Sequence, residues 1–170
     1  MAEFTHRLAR LRVPAGYLFG AIALWLAAPT PRSLAMGALV GAIGEALRIW
    51  AAGHLEKGSE VTSTGPYALT RHPLYAGSIL MGIGLAIAAD TVPVAVLVGA
   101  YLAITVTAAI RSEEAHLTAK FGGDYPAYRD GRGPSAPRGF SVERAVRNRE
   151  YRALLGFLAV LLLLTARMSL

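Results

Sequence analysis

Long windows with few or no charged residues recur along this chain, separated by short polar stretches. Inside a bilayer every backbone N–H and C=O must find a partner within its own segment, so such windows fold there as helices. Apolar residues make up 54% of the sequence and charged residues only 16%, against roughly 25% charged in ordinary globular chains. The expected fold is therefore all-α, an integral membrane helical bundle of about five transmembrane helices with a polar cytoplasmic cap. At 170 residues the chain reads as a single membrane domain. Residues 1–52 supply two N-terminal transmembrane helices, 53–130 a core, and 131–170 a basic loop and a C-terminal transmembrane helix.

Segment one runs from about Val13 to Ala28 and is closed by Pro29 and Pro31. Its basic start (Arg7, Arg10, Arg12) also fits a signal peptide, but no clear small-x-small cleavage site precedes a soluble domain. Segment two spans about Ser33 to Ala52, segment three Leu74 to Ala89, and segment four Pro93 to Ile110, with Asp90 and Pro93 marking the turn between the last two. Segment five starts near Ala153 and ends near the C-terminus; its apolar core is short against the ~20 residues that span a bilayer, so Tyr151, Arg152 and Arg167 are expected to snorkel. Gly16 with Gly20 and Gly37 with Gly41 form two GxxxG pairs, a spacing that lets helix backbones approach closely; packing within the chain is the preferred reading. The stretch Gly122 to Gly139 is rich in Gly, Pro and charge and reads as a loop, and Ser141 can cap a helix beginning at Val142.

The charge pattern sets orientation. With five crossings, every one of the 17 Lys and Arg residues falls on one side except Arg32 and Arg167 opposite and Arg48 within segment two. This asymmetry predicts a cytoplasmic N-terminus, in a multi-pass protein of what composition hints is a bacterial inner membrane. The net charge of +6 is explained by anionic lipid headgroups around the apolar segments and not by nucleic acid; Arg144, Arg147, Arg149 and Arg152 form a basic collar before segment five. The absence of cysteine removes disulfides, thiolate catalysis and Cys-type zinc sites.

Two polar motifs flank the hairpin of segments three and four, so they meet at one membrane surface, as the parts of an interfacial active site should. The first is GPYALTRHPLYAG, Gly65 to Gly77. Gly65-Pro66 is a turn signal and Pro73 disfavours helix at His72, so this loop can offer backbone groups to a ligand together with Tyr67, His72 and Tyr75. The second is EEAHLTAKFGGDYPAY, Glu113 to Tyr128. Glu113 and Glu114 are placed near the end of segment four, where the helix dipole disfavours negative charge, which points to a cationic or hydroxyl-rich ligand. Phe121, Tyr125 and Tyr128 look like a folded lid or cofactor wall. Glu113 and His116 form a single Glu-x-x-His pair; a carboxylate-bridged di-iron site needs two, and no metal site is expected. Glu45 and Arg48 lie one helical turn apart inside segment two. Buried charge in a bilayer is costly and often functional, so the pair either lines a substrate cavity or lets Arg48 snorkel while Glu45 neutralises it. No G-x-G-x-x-G follows a strand, and there is no P-loop, nucleophile elbow or zincin motif.

The first motif and the later EE-x-x-L-x-x-x-FG-x-x-Y-x-x-Y pattern (Glu113, Glu114, Leu117, Phe121, Gly122, Tyr125, Tyr128) resemble the isoprenylcysteine carboxyl methyltransferase and phospholipid methyltransferase group. The resemblance covers about Leu47 to Arg129 and is specific in combination. It implies an integral-membrane enzyme that uses S-adenosylmethionine without a Rossmann domain and methylates a lipophilic or lipidated substrate from the bilayer. It implies cofactor contacts from Tyr67, His72, Pro73, Leu74 and Tyr75, from Ser59 to Thr62 (Val61 and Thr62 among them), and from Glu113. His72 or a glutamate, Glu113 or Glu114, is the candidate base. One position departs from the group. Its carboxyl methyltransferases carry an arginine one helical turn before the glutamate pair, and this chain has Ala109 there. Arg111 is the nearest substitute toward the substrate, about 200° around the helix. Membrane sterol reductases resemble the pattern too, which leaves an NADPH-dependent reductase, with Arg129 to Arg138 on the 2′-phosphate, as an alternative; a non-catalytic membrane scaffold is another.

Overall fold

Threonine and proline set where the long helices begin. At Thr30-Pro31, the Ser33 N–H donates to Thr30 Oγ1 at 3.1 Å and the Thr30 N–H to Ser33 Oγ at 2.9 Å, a reciprocal capping box with proline at the first helical position. Pro73 and Pro93 sit likewise in the first turns of the next two long helices, where a missing N–H costs nothing. The computed structural model describes residues 16, 18–130 and 139–169, with the backbone alone at Asp124. Arg7, Arg10, Arg12, Val13, Arg132 and Arg138 lie outside the described residues. In chain order the elements are α1 (18–26), α2 (Pro31–His54), a 3-10 turn (Gly65–Ala68), α3 (Pro73–Ala89), α4 (Val92–Phe121), α5 (Asp124–Arg129), α6 (Val142–Arg147) and α7 (Tyr151–Arg167). No strand occurs among the described residues.

The all-α expectation holds. Among the described residues two helices, α2 and α4, are long and apolar enough to cross a bilayer. The apolar α3 and the C-terminal α7 have 17 residues each, below the ~20 of a full perpendicular span. Two differences from the sequence reading concern the second motif. Helix α4 does not end with its apolar run at Ile110 but continues to Phe121, 30 residues or roughly 45 Å against a hydrocarbon core of ~30 Å. Glu113 and Glu114 therefore lie inside a helix, seven or more residues before its end, and the helix-dipole argument does not apply to them. The Gly122–Gly139 stretch also contains helix. Gly122, at φ 53, stops α4, and α5 follows at once. Pro126 is tolerated there because it falls in the first turn.

Glycine brings α2 and α3 together. A Cβ added at Gly84 would stand 2.5 Å from the Gly41 N and 2.6 Å from the Gly37 O, so only glycine lets these backbones touch. Gly44 meets the Gly77 carbonyl in the same way, and Gly41 also seats the Phe157 ring of α7. The Gly37/Gly41 pair is thus an intramolecular seam. Gly20, by contrast, has nothing within 4 Å of its would-be Cβ and faces open space.

At the opposite end of α2 from its capping box, α6 closes the helix. Ser141 caps α6 as expected. Arg144 Nε donates to the Gly53 carbonyl at 2.8 Å, and Asn148 Nδ2 donates to the Ala52 and Leu55 carbonyls at 2.9 Å each. Ala52 and Gly53 carry last-turn carbonyls of α2, which no intrahelical N–H can reach, and Leu55 is its C-cap. Arg147 pairs with Glu56 at 2.9 Å. Half of the expected basic collar is thereby committed to the fold, leaving Arg149 and Arg152 exposed.

Candidate active site

The loop between α2 and α3 is built on a buried imidazole. His54, 6% exposed, hydrogen-bonds through Nδ1 to the Trp50 carbonyl at 3.0 Å, and Gly65 lies directly on its ring. A Cβ at Gly65 would come within 2.6 Å of that ring, and its φ of 60 is a left-handed value that glycine adopts freely. Thr62 is buried and its hydroxyl accepts the Glu56 N–H at 3.2 Å, folding the loop; Val61 beside it is half-buried. The turn at Gly65–Ala68 then presents Tyr67, and Pro73 starts α3 with His72 at its cap.

The two motifs meet as the sequence implied. His72 Nε2 lies 3.0 Å from Glu114 Oε1; the carboxylate accepts, so Nε2 carries the hydrogen. Arg71 Nη1 approaches the same oxygen at 3.6 Å. The Tyr128 hydroxyl donates to the Tyr67 carbonyl at 2.6 Å, tying α5 to the turn. Tyr125 is 2% exposed, with its ring centroid 6.2 Å from that of Tyr128. Its hydroxyl is buried without a hydrogen bond of good geometry, although the Glu114 carboxylate is close enough to act on it. Burial first, and that charge second, push the Tyr125 phenol up to about 12. Burial likewise raises Tyr67, helped by the charges of Glu113 and Glu150.

The adjacent glutamates have different surroundings. Glu114 is engaged by His72 and Arg71. Glu113 is half-buried, faces Tyr67 and Tyr125 electrostatically, and forms no hydrogen bond or ion pair with the described residues. Pro73 is fully buried, Tyr75 stands 5.9 Å ring to ring from His72, and the Leu74 carbonyl is taken by Ser78 Oγ at 2.9 Å and by Arg48 Nη1 at 3.3 Å. Arg111 is exposed on α4 and is not brought to this cluster.

Arg48 leads inward from the motifs to an apolar cavity of about 450 Å³. Its walls come from α1, α3, α4 and α7, with Arg48 and Ser78 at one end and Gly20, Leu97 and Val160 among the rest. Arg48 Nε is bound by Glu150 Oε1 at 2.5 Å, and Nη1 makes a short hydrogen bond to Ser78 Oγ. Of the two roles open to the Glu45–Arg48 pair, Arg48 takes the lining one. Glu45 is buried behind it, its nearer oxygen 3.9 Å from Arg48 Nε. Arg71, Ser78 and Glu150 are absent from the residues that the sequence pointed to. Arg71 is adjacent to His72 and could have been included; Glu150 gave one local sign, a lone carboxylate among arginines before an apolar segment.

The phospholipid methyltransferase family matches residues 15–124, which takes in α2 to α4, the loop with His72, and both glutamates. The chain belongs to this family. Members of the phospholipid methyltransferase family fall within the integral-membrane isoprenylcysteine and phospholipid methyltransferase group, so the resemblance carried by the two motifs holds. Among curated proteins, the chain is 29% identical to the nickel-cobalt-cadmium resistance protein NccN of Alcaligenes xylosoxydans xylosoxydans, over 57% of this chain and 45% of that one. It is 30% identical to the cobalt-zinc-cadmium resistance protein CzcN of Cupriavidus metallidurans, over 54% of this chain and 44% of that one. The chain therefore spans less than half the length of these relatives. No solved structure matches it.

Proposed function

We propose that this phospholipid methyltransferase family member transfers a methyl group from S-adenosylmethionine to a lipophilic substrate held in the membrane. The observation that carries the reading is the half-buried Glu113 carboxylate, which makes no hydrogen bond or ion pair with the described residues and whose charge acts on both Tyr67 of the first motif and Tyr125 of the second. A carboxylate there suits an ammonium group or ribose hydroxyls. Thr64 Oγ1, buried with no hydrogen-bond partner among the described residues, is a further donor for a ligand. These residues fit the cofactor, with Tyr67, His72 to Tyr75 and Tyr128 around them.

When bound, S-adenosylmethionine supplies an electrophilic methyl on a sulfonium. The chain's residues supply alignment, which can contribute ~7–11 kcal/mol, and a water-poor approach for the acceptor. His72 is oriented by Glu114, which fixes the hydrogen on Nε2 and leaves Nδ1 to receive a proton from an acceptor that carries one. Arg48 and Ser78 stand where the apolar cavity gives way to the polar site. In this reading the lipophile enters from the bilayer and the cofactor from the cytoplasm. Exposed Arg149 and Arg152 would rest against anionic headgroups. The reductase alternative calls on Arg129 to Arg138, mostly outside the described residues, and no observation favours it.

Calorimetric titration of S-adenosylmethionine and S-adenosylhomocysteine into the protein in nanodiscs tests the reading. A hydrogen bond to a charged group is worth ~1.5–3 kcal/mol, so Glu113→Gln should weaken binding about ten- to hundredfold while Arg152→Ala leaves it unchanged. Absence of binding by folded wild-type protein would sink the methyltransferase reading and favour a scaffold.

A further inference from the structure

Among the described residues that line the apolar cavity, Arg48 is the one that is charged. A lone guanidinium at the end of such a space invites an anionic headgroup, a carboxylate or a phosphate. Its neighbours argue against that. Glu150 holds Nε at 2.5 Å, and Glu45 Oε2 stands 3.9 Å from the same nitrogen. Glu45 is 3% exposed and neither of its oxygens has a hydrogen-bond partner. Two carboxylates thus face one guanidinium. With both ionised the cluster is net negative; with Glu45 protonated it is neutral. In neither state is positive charge left over for an anion, and an anion brought there would meet like charge in a medium of low dielectric.

Neutral hydrogen-bonding capacity does remain. Arg48 Nη2 donates no hydrogen bond to any described residue, and Ser78, a cavity-wall residue whose hydroxyl donates to the Leu74 carbonyl and accepts from Arg48 Nη1, keeps one lone pair for a further donor. The space itself, about 450 Å³, is toward the lower end of the 300–1,000 Å³ typical of ligand pockets. It suits one apolar chain better than the body of a two-chain phospholipid. We propose that the cavity takes an uncharged single-chain lipophile whose hydroxyl or carbonyl head sits at Arg48 and Ser78, and that Glu45 and Glu150 turn anionic lipids away. The proposal rests on the methyl-transfer reading and names the substrate class of that site.

Photolabelling in nanodiscs tests it. The probe is palmityl alcohol carrying a diazirine on its chain, with palmityl alcohol, palmitate and palmitylamine as unlabelled competitors that differ only in their heads. Labelling should map to α1, α3 and α4, and the alcohol should compete at least tenfold better than palmitate. Glu150→Gln and, separately, Glu45→Gln should narrow that gap by freeing the guanidinium; if one variant does not fold, the other carries the comparison. Gly20→Leu, whose side chain enters open space, should abolish labelling while S-adenosylhomocysteine binding stays as in wild type. Palmitate or palmitylamine competing as well as the alcohol, phospholipid displacing the probe, or no labelling in these helices would each overturn the proposal. Labelling as expected in a protein that binds no S-adenosylhomocysteine would uphold the cavity's occupant and overturn the methyl-transfer reading instead.

Discussion

Tyr125 brings a phenol to a buried place beside the Glu114 carboxylate. It is 2% exposed, and burial together with the Glu114 charge raises its pKa to about 12, above the ~10 of a free tyrosine. The folded chain therefore holds this proton more tightly than the unfolded chain does. The corresponding stability is intact below about pH 10 and is lost as pH rises toward 12. Thermal unfolding of wild type should fall off more steeply across that window than unfolding of Tyr125→Phe, with parallel curves below it; parallel curves throughout would mean the phenol is not held this way. His72, Tyr67, Tyr125 and the glutamate pair were legible in the sequence because each motif is short and carries its own turn and aromatic signals. The division of labour between Glu113 and Glu114 was not. Neighbours on a helix point about 100° apart, and which one meets His72 depends on how α4 is rotated against the loop. Glu150 was harder still, since its partner Arg48 lies 102 residues away in the chain.

The α2–α3 seam makes a prediction about elements. At Gly84 an added methyl would meet backbone of α2 at 2.5 Å, which no side-chain rotation can relieve. Gly84→Ala should force the helices apart at a cost of ~1–3 kcal/mol, seen as a lower melting temperature in detergent. Gly156→Ala in α7, where nothing lies within 4 Å, should be neutral or raise stability by up to ~1 kcal/mol. Equal effects at the two sites would argue that helix propensity, not contact, governs both. Helix starts were readable because caps and prolines act locally, as at Thr30-Pro31 and His72-Pro73. The end of α4 was misread because the apolar run stops before the helix does. Residues such as Glu114, Ala115, Leu117, Ala119 and Lys120 favour helix without being apolar overall, so loss of hydrophobicity was mistaken for loss of structure. What α6 does for the end of α2 was invisible for a different reason: the carbonyls that Arg144 and Asn148 reach belong to residues far back in the chain.

Across the whole molecule, contacts sort the helix ends into two sets. At one end the Ala28 N–H donates to the Ala89 carbonyl at 2.9 Å, Thr30 Oγ1 to Asp90 Oδ2 at 3.2 Å, and Arg167 Nη2 to the Trp25 carbonyl at 3.3 Å. At the other, His72 meets Glu114, Tyr128 meets Tyr67, and Asn148 meets Ala52. The first end holds Arg32 and Arg167; the second holds Lys57, Arg71, Lys120, Arg147, Arg149 and Arg152. Because basic residues favour the cytoplasmic side, this sorting predicts that the active-site end faces the cytoplasm and that α2, α3, α4 and α7 each pass from one face to the other. The sequence has no cysteine, so single substitutions give clean labels. Lys57→Cys, Lys120→Cys and Arg152→Cys, all at exposed positions, should react with a membrane-impermeant maleimide in inverted vesicles and not in intact cells. Arg32→Cys should show the reverse. Lys57 and Lys120 are separated by the α3–α4 hairpin, so labelling from one face at both requires an even number of crossings between them. Arg32 and Lys57 flank α2 alone, so labelling from the same face at both would remove α2 as a span and, with it, the bilayer route by which a lipophile reaches Arg48.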